Sequence, residues 1–395
     1  MPPQEMATTS QLTKIPDLVF PRQSIYKAVA DRKPTYRGDL RYKPDTTSTL
    51  LPVPSDSQEY CYTPPNLLQM LPMITKSEFE PVWWLSWPHL QTIWPALFRK
   101  TRNFPITPER LELPDGDFLD LVWVGNNSGP LILVLHGLEG SIRSHYAEGI
   151  LETLYQQDFR PVFMHFRGCG DEPNRLPKSY HFGDTGDLGL VLQHIQARSG
   201  KAIAAAIGYS LGGNVLLKWL GEQGDASTLQ TAIAISVPFN LNDCALRLER
   251  GVSRIYRQHL LGHLRASYKR KFRRISVPLE VDVDSLRSFR EFDDQITAPL
   301  NGFNGVDHYY AESTSKPYLK RITTPTLILQ ALDDPFMYPY SLPCTDDLSP
   351  TVTLELSDKG GHVGFIDGPG FWYRRFWLEQ RIARHLKETL HVNRC

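Results

Sequence analysis

Net charge is missing from this chain of 395 residues: 43 Lys and Arg offset 43 Asp and Glu. No general basic surface therefore argues for nucleic acid, and no acidic tail argues for disorder. Long apolar runs are missing too, since no stretch reaches the length that spans a bilayer. The opening Met1-Pro2-Pro3-Gln4-Glu5 has no basic region ahead of an apolar one, so a cytoplasmic location is expected. Cysteine is sparse and odd in number. Cys61, Cys169, Cys244, Cys344 and Cys395 include no Cys-x-x-Cys, which argues against a disulfide framework or a zinc site and predicts free thiols. The histidines at 165, 181, 259, 263 and 308 are read as lacking His-x-x-x-His spacing or clustering with cysteine, and no Walker or dinucleotide glycine pattern occurs, so neither metal nor cofactor is expected. The sequon Asn126-Asn127-Ser128 reads as chance in a chain without a secretion signal.

The length suits one large domain with additions. Residues 1–76 hold eleven of the 31 prolines with little apolar periodicity, which predicts an irregular N-terminal arm ahead of a domain over 77–395. Next comes Trp83 to Phe98, with four of the eight tryptophans. Such a segment either sits at a membrane interface, where indole rings favour the headgroup layer, or packs as a strap under the core, the ordinary fate of aromatics. From Arg110 the pattern turns regular. Leu111-Glu112-Leu113 and Phe118 to Val124 flank Pro114-Asp115-Gly116-Asp117 as a hairpin. Short apolar strands follow at Leu131 to Leu135, Pro161 to Phe166, Ala202 to Ile207, Thr231 to Val237, Pro325 to Leu329 and Val352 to Leu356, with helix-like segments between them. That alternation predicts an α/β architecture, a mostly parallel sheet with helices on both faces.

Residues 241–320 interrupt the alternation and read as an inserted helical lid. Ten basic residues, from Arg247 to Arg274, meet only Glu249 as an acid there. Peripheral contact with an anionic membrane through residues 247–274 is one reading; a solvated face paired with the acids Glu280 to Asp294 is the plainer one.

Chemistry centres on Gly208-Tyr209-Ser210-Leu211-Gly212. An apolar strand precedes it, and the helical spacing of Val215, Leu216, Trp219 and Leu220 follows. Between a strand and a helix, Gly-x-Ser-x-Gly is a nucleophile elbow. A serine hydroxyl is a weak nucleophile and needs an imidazole base held by a carboxylate, here in the chain order Ser, acid, His. Asp334, in the turn after the strand ending at Leu329, and His362, in Gly360-Gly361-His362-Val363-Gly364, meet that order. Asp334 is preferred over Asp333, which reads as a turn or capping residue. Two backbone donors must hold the oxyanion: the amide of Leu211, and that of Leu138 in His136-Gly137-Leu138-Glu139-Gly140. His136 is the rival base and is read as structural.

Several motifs together resemble the YheT-like α/β-hydrolases, also called the AB hydrolase 4 family, over roughly residues 88–390. They are His89-Leu90-Gln91-Thr92, Leu111 to Asp117, His136 to Ser141, Met164 to Cys169, Glu172-Pro173-Asn174-Arg175, Gly208 to Asn214, Arg290 to Asp294, Asp333-Asp334-Pro335-Phe336 and Gly361 to Phe365. Gly170-Asp171 departs from the family pattern, and the proline-rich arm lies outside it. The resemblance implies an α/β-hydrolase fold with an inserted helical lid, and a serine esterase or lipase-like activity carried by Ser210, Asp334 and His362. The expected function is cleavage of short- or medium-chain acyl esters or acylglycerol-type lipids through an acyl-enzyme. Acyl transfer to an alcohol is the alternative enzyme, and a non-catalytic ligand-binding relative the alternative from another class.

Overall fold

The computed structural model describes residues 73–99, 104–126, 128–370 and 375–390. Most of the proline-rich stretch, with Asn127, Cys61 and Cys395, lies outside the described residues. Among the described residues, nine strands form one sheet in the order β1-β9-β8-β7-β6-β4-β5-β3-β2. In chain order they are β1 (Met73–Lys76), β2 (Ile106–Glu112), β3 (Phe118–Val124), β4 (Leu131–Leu135), β5 (Arg160–Met164), β6 (Ala205–Tyr209), β7 (Thr231–Ile235), β8 (Thr326–Ala331) and β9 (Val352–Ser357). Only β3 runs against its neighbours, pairing antiparallel with both β5 and β2.

The central strands β4, β6 and β7 are buried at every residue, as continuous apolar runs in a parallel sheet should be. Helices α2 (His145–Gln156) and α9 (Trp377–Thr389) cover one face, packing Ile150, Leu154, Ile382 and Leu386 onto β4 to β7. Helices α3 (Thr185–Ser199) and α4 (Leu211–Gln223) cover the other through Val191, Ile195, Leu216 and Leu220. Each such side chain contributes about 1.5–3 kcal/mol of burial, so the two layers fix the sheet from both sides.

Three expectations shift. The strand read over Ala202 to Ile207 lies at Ala205–Tyr209, because its pairing with β4 and β7 begins at Ala205 and carries through the first two residues of the elbow motif. The hairpin's first strand starts early, at Ile106, since β3 offers partners out to Val124; Pro108 is tolerated because β2 is the sheet edge. The arm boundary at 76 also moves. Met73–Lys76 forms β1, parallel to β9 in the register Met73 with Thr353, a four-residue edge strand too short to show a period.

Between β7 and β8 stand α5 (Leu241–Leu248), α6 (Ser253–Phe272), α7 (Phe289–Phe292) and α8 (Val306–Ser313). Asn240 caps α5 by accepting from the Asp243 amide at 3.0 Å, and Ser288 with Glu291 makes a capping box on α7. These helices share a small core of their own that includes Leu248, Tyr256, Leu261, Phe289, Phe292 and Tyr310. One further helix, α1 (Pro88–Phe98), comes before the hairpin, with Pro88 at its first position.

Candidate active site

The elbow is built by close backbone approach. A Cβ on Gly208 would meet the Gly212 carbonyl at 2.4 Å, and one on Gly212 would meet the His136 carbonyl at 2.5 Å, so neither position accepts a side chain. Ser210 between them holds φ 50°, ψ −113°, strained backbone for a residue with a side chain, of the kind that persists where the surrounding structure over-determines it. Its amide donates to the Ile235 carbonyl at 2.8 Å, and its own carbonyl accepts the first bond of α4 from Asn214 at 3.0 Å.

Two later loops arrive at this serine. His362 Nε2 lies 3.1 Å from Ser210 Oγ, and His362 Nδ1 lies 2.8 Å from Asp334 Oδ2. Asp334 is buried, and its other oxygen accepts from the Phe336 amide at 2.8 Å. The Phe336 ring stacks on the imidazole at 4.0 Å between centroids and 6° between planes, which fixes the plane in which both ring nitrogens point. Asp333 faces elsewhere. Its Oδ1 accepts from the Gly361 amide at 3.0 Å, and burial pushes its carboxyl up to about 7.

His136 is fully buried and spends both ring nitrogens on backbone. Nε2 accepts from the Phe166 amide at 3.1 Å, so Nδ1 must carry the proton it shares with the Gly137 carbonyl at 2.6 Å. Burial drives its pKa down to about 3. A base needs a free lone pair directed at the nucleophile, and His136 has none.

The loop after β4 lies against the serine: a Cβ on Gly137 would stand 3.3 Å from Ser210 Cβ. Among the described residues, the amides of Leu138 and Leu211 have no hydrogen-bond partner. Leu211 opens α4, where the helix dipole favours negative charge. Glu139 ties this loop to the lid. At φ 53°, its amide donates to the Tyr180 hydroxyl at 2.7 Å, and its carboxylate accepts from Tyr180 at 2.8 Å and from Ser267 of α6 at 2.5 Å.

Residues far from the triad in sequence hold the histidine loop. The Thr92 hydroxyl accepts from the His362 amide at 2.9 Å. The Gln91 amide donates to the carbonyls of Leu85 and Ile366 at 2.9 and 3.0 Å and accepts from the Ile366 amide at 2.7 Å. The remaining motifs brace the scaffold. Arg167 is buried in a bidentate pair with Asp187 (2.7 and 2.8 Å), with Asp115 and Asp117 on its other nitrogen. Asn214 joins α4 to the lid, donating to the carbonyls of Phe182 and Ser313 at 2.8 and 2.7 Å. The sequence marked these residues only as motif members. A polar trio, His89, Gln91 and Thr92, in an otherwise apolar helix was the one signal of a role.

Ser210 and His362 open onto an apolar cavity of about 50 Å³, walled by Leu138, Leu241, Leu260 and Phe336. A second cavity, about 80 Å³, shares the walls Leu138, Phe182, Phe289 and Asp293 with it and runs on to Leu264 and Phe272. Asp293 therefore borders both. It accepts from Thr297 and Tyr310 at 2.8 Å each, and burial raises its carboxyl to about 6. The basic residues of α6 largely turn to the protein. Lys269 pairs with Asp284, Arg257 with Glu249, and Arg265 and Arg270 donate to backbone carbonyls. Lys271 donates to the carbonyls of Leu176 and Lys178, and its burial pulls its pKa down to about 8. His259 and His263 stand one helical turn apart on α6 with rings 4.5 Å between centroids, which corrects the reading that no His-x-x-x-His pair occurs. Among the described residues, no third ligand joins them or any other metal-type group.

A strained serine between a buried strand and a helix, met by a histidine and a carboxylate from later loops, is the layout of α/β-fold hydrolases. Residues 130–369 match the family described as alpha/beta hydrolase fold, and the chain belongs to that family. Within it, the chain is 42% identical over 328 residues to YheT of Escherichia coli (strain K12), a candidate esterase by its name, across 81% of this chain and 96% of that one. Phospholipase ABHD3 of Mus musculus is 29% identical over 333 residues, 81% of this chain and 80% of its own. Monoacylglycerol lipase of Saccharomyces cerevisiae is 30% identical over 277 residues, 66% of this chain and 60% of its own. The motif resemblance to YheT-like hydrolases is thus a family membership, and the class of activity is hydrolase.

Proposed function

We propose that the protein hydrolyses carboxylic esters through an acyl-enzyme on Ser210. The observation that carries this reading is the continuous line from Ser210 Oγ to His362 Nε2 (3.1 Å) and from His362 Nδ1 to Asp334 Oδ2 (2.8 Å). Ser210 attacks the ester carbonyl as His362 takes its proton, and Asp334 holds the imidazole in the required tautomer. The amides of Leu138 and Leu211 receive the oxyanion, each worth about 3 kcal/mol in the transition state. Collapse expels the alcohol, which takes the proton from His362. Water then repeats the sequence on the acyl-enzyme and returns the serine.

The apolar walls around Ser210 suit an acyl chain. Relatives named as a phospholipase and a monoacylglycerol lipase favour acylglycerol-type lipid esters, and with them a role in lipid metabolism. The unpaired Cys169, Cys244 and Cys344 suit a reducing, cytoplasmic setting.

The test is labelling with a fluorophosphonate probe, wild type against Ser210→Ala, then a p-nitrophenyl ester series of increasing chain length. Labelling that persists unchanged in the alanine variant sinks the proposal. Product analysis with added alcohol separates hydrolysis from acyl transfer, because a transferase yields a new ester in place of the free acid.

A further inference from the structure

Helix α1 buries polar residues and leaves large apolar ones exposed. A helix on a globular protein turns its apolar stripe inward. Here the inward side carries His89, the fully buried Gln91 and Thr92, the residues that hold the histidine loop. The outward side is apolar: Leu97 is 67% and Phe98 57% exposed, and Trp83 in the turn before is 75% exposed. Leu90, Trp94 and Leu97 follow the i, i+4, i+7 stripe, and Trp94 packs on Phe98 at 4.1 Å. No charged residue occurs between Glu80 and Arg99. The inward polar set is explained by the loop it supports; of the apolar set, Trp94 packs on Trp84 beside Val82 and Leu85, while Trp83, Leu97 and Phe98 stand exposed. Clustered exposed apolar surface of this kind marks an interaction site.

Two further observations select the partner. A chain of rings leads from this face to the site: Trp87 contacts His89 (4.8 Å), His89 stacks on Tyr256 of α6 (5.6 Å), Tyr256 meets Phe336 (5.0 Å), and Phe336 covers His362. These packed rings fix the N-terminal end of α1, with the exposed Trp87, against the first turns of α6, where Val252 and Ile255 are exposed. Beside them Arg250 and Arg254 have no ion-pair partner among the described residues, unlike Arg257 and Lys269 further along the helix. Indole and aliphatic side chains flanked by free cations complement a surface that is apolar beneath and anionic at its headgroups. We propose that the outer face of α1, with Trp83 and the first turn of α6, docks on an anionic lipid bilayer. The docking is independent of the ester chemistry proposed above and survives loss of Ser210.

The test uses the full chain carrying Ser210→Ala, sedimented with vesicles of phosphatidylcholine alone or with ~30% phosphatidylglycerol at low ionic strength. Binding to the anionic vesicles, with a blue shift of tryptophan emission, is expected. Trp83→Gln with Leu97→Gln weakens partitioning at least ~10-fold. Arg250→Glu with Arg254→Glu removes the preference for anionic vesicles by ~10-fold or more. In the Ser210 background, both double variants keep wild-type hydrolysis of a soluble p-nitrophenyl ester and an unchanged Tm, which shows that the fold is intact. Failure of the parent chain to bind anionic vesicles overturns the proposal, as does equal binding by the Trp83/Leu97 variant. Light scattering that finds a dimer dissolved by the same substitutions, with vesicles ignored, assigns the face to a second copy and overturns it too.

Discussion

The backbone amide of His362 donates to the Thr92 hydroxyl at 2.9 Å, joining residues 270 positions apart, and the same hydroxyl donates on to the Pro88 carbonyl at 2.8 Å. The aromatic helix thus clamps the loop that presents the imidazole. A Cβ on Gly361 would meet the Pro88 carbonyl at 2.5 Å, so the fit leaves no slack.

Thr92→Val keeps the shape and removes the acceptor, leaving an amide unpaired at a cost of about 1–3 kcal/mol. We expect kcat on a p-nitrophenyl ester to fall ~10-fold with KM within about twofold, because the loss is in aim rather than in binding. Thr92→Ser restores the rate. An unchanged kcat in the valine variant would show that the loop holds itself.

Asp334→Asn leaves the geometry but lets the imidazole take the wrong tautomer, and kcat is expected to drop by ~10³–10⁴-fold. Asp333→Asn, whose acceptor oxygen faces Gly361 and not His362, should stay within about tenfold of wild type. The reverse ranking in steady-state kinetics would reassign the acid.

Asp333 also predicts a pH dependence of stability. Its carboxyl is raised to about 7 by burial, so the folded state holds the proton more tightly than the unfolded chain. Its contribution is then complete below the unfolded value, near 4, and is lost as pH climbs to about 7. Thermal melts should show the difference in Tm between wild type and Asp333→Asn shifting steadily in favour of the asparagine variant across that window. A difference that stays flat from pH 4 to 7 contradicts it.

Asp293 walls both cavities, with its carboxyl raised to about 6. Below that pH it is neutral and compatible with an acyl chain; above it, the charge sits in an apolar wall. KM for a medium-chain ester is expected to rise as pH goes from 5 to 7 in wild type and to stay level in Asp293→Asn. Parallel profiles for the two proteins would remove Asp293 from the substrate path.

Ser267→Ala cuts the bond from α6 to Glu139 in the loop proposed to receive the oxyanion. Because Glu139 follows Leu138 directly, a loosened loop should weaken a boronic acid transition-state analogue by ~5- to 10-fold, with kcat/KM falling in proportion. A fall in Tm with analogue affinity intact would reduce the bond to a structural one.

The local steps of the fold were legible in the sequence. Ala205 to Tyr209, Ser210 and the apolar spacing after Leu211 specify strand, turn and helix among near neighbours. The order Ser210, Asp334, His362 follows from where strands β6, β8 and β9 end. Asp334 stood out from Asp333 by its offset alone, and the geometry gives the two carboxylates different partners. The alternation of apolar strands was legible as well, though its ends at β6 and β2 waited on the partner strands that fix register.

Tertiary structure decided what depends on contacts between distant segments. No pattern in Met73–Lys76 announces an edge strand, because four residues acquire strand geometry only by pairing with β9. The tautomer of His136 is set by the Phe166 amide, 30 positions away. The polar trio of α1 has meaning only once the loop around His362 lies on it. Sequence by itself determined the candidate reactive groups and their order, since those follow from local backbone preference and side-chain chemistry. Their aim, their tautomers, and the cavity they face were decided by packing, because each is a relation between surfaces that the chain brings together only on folding.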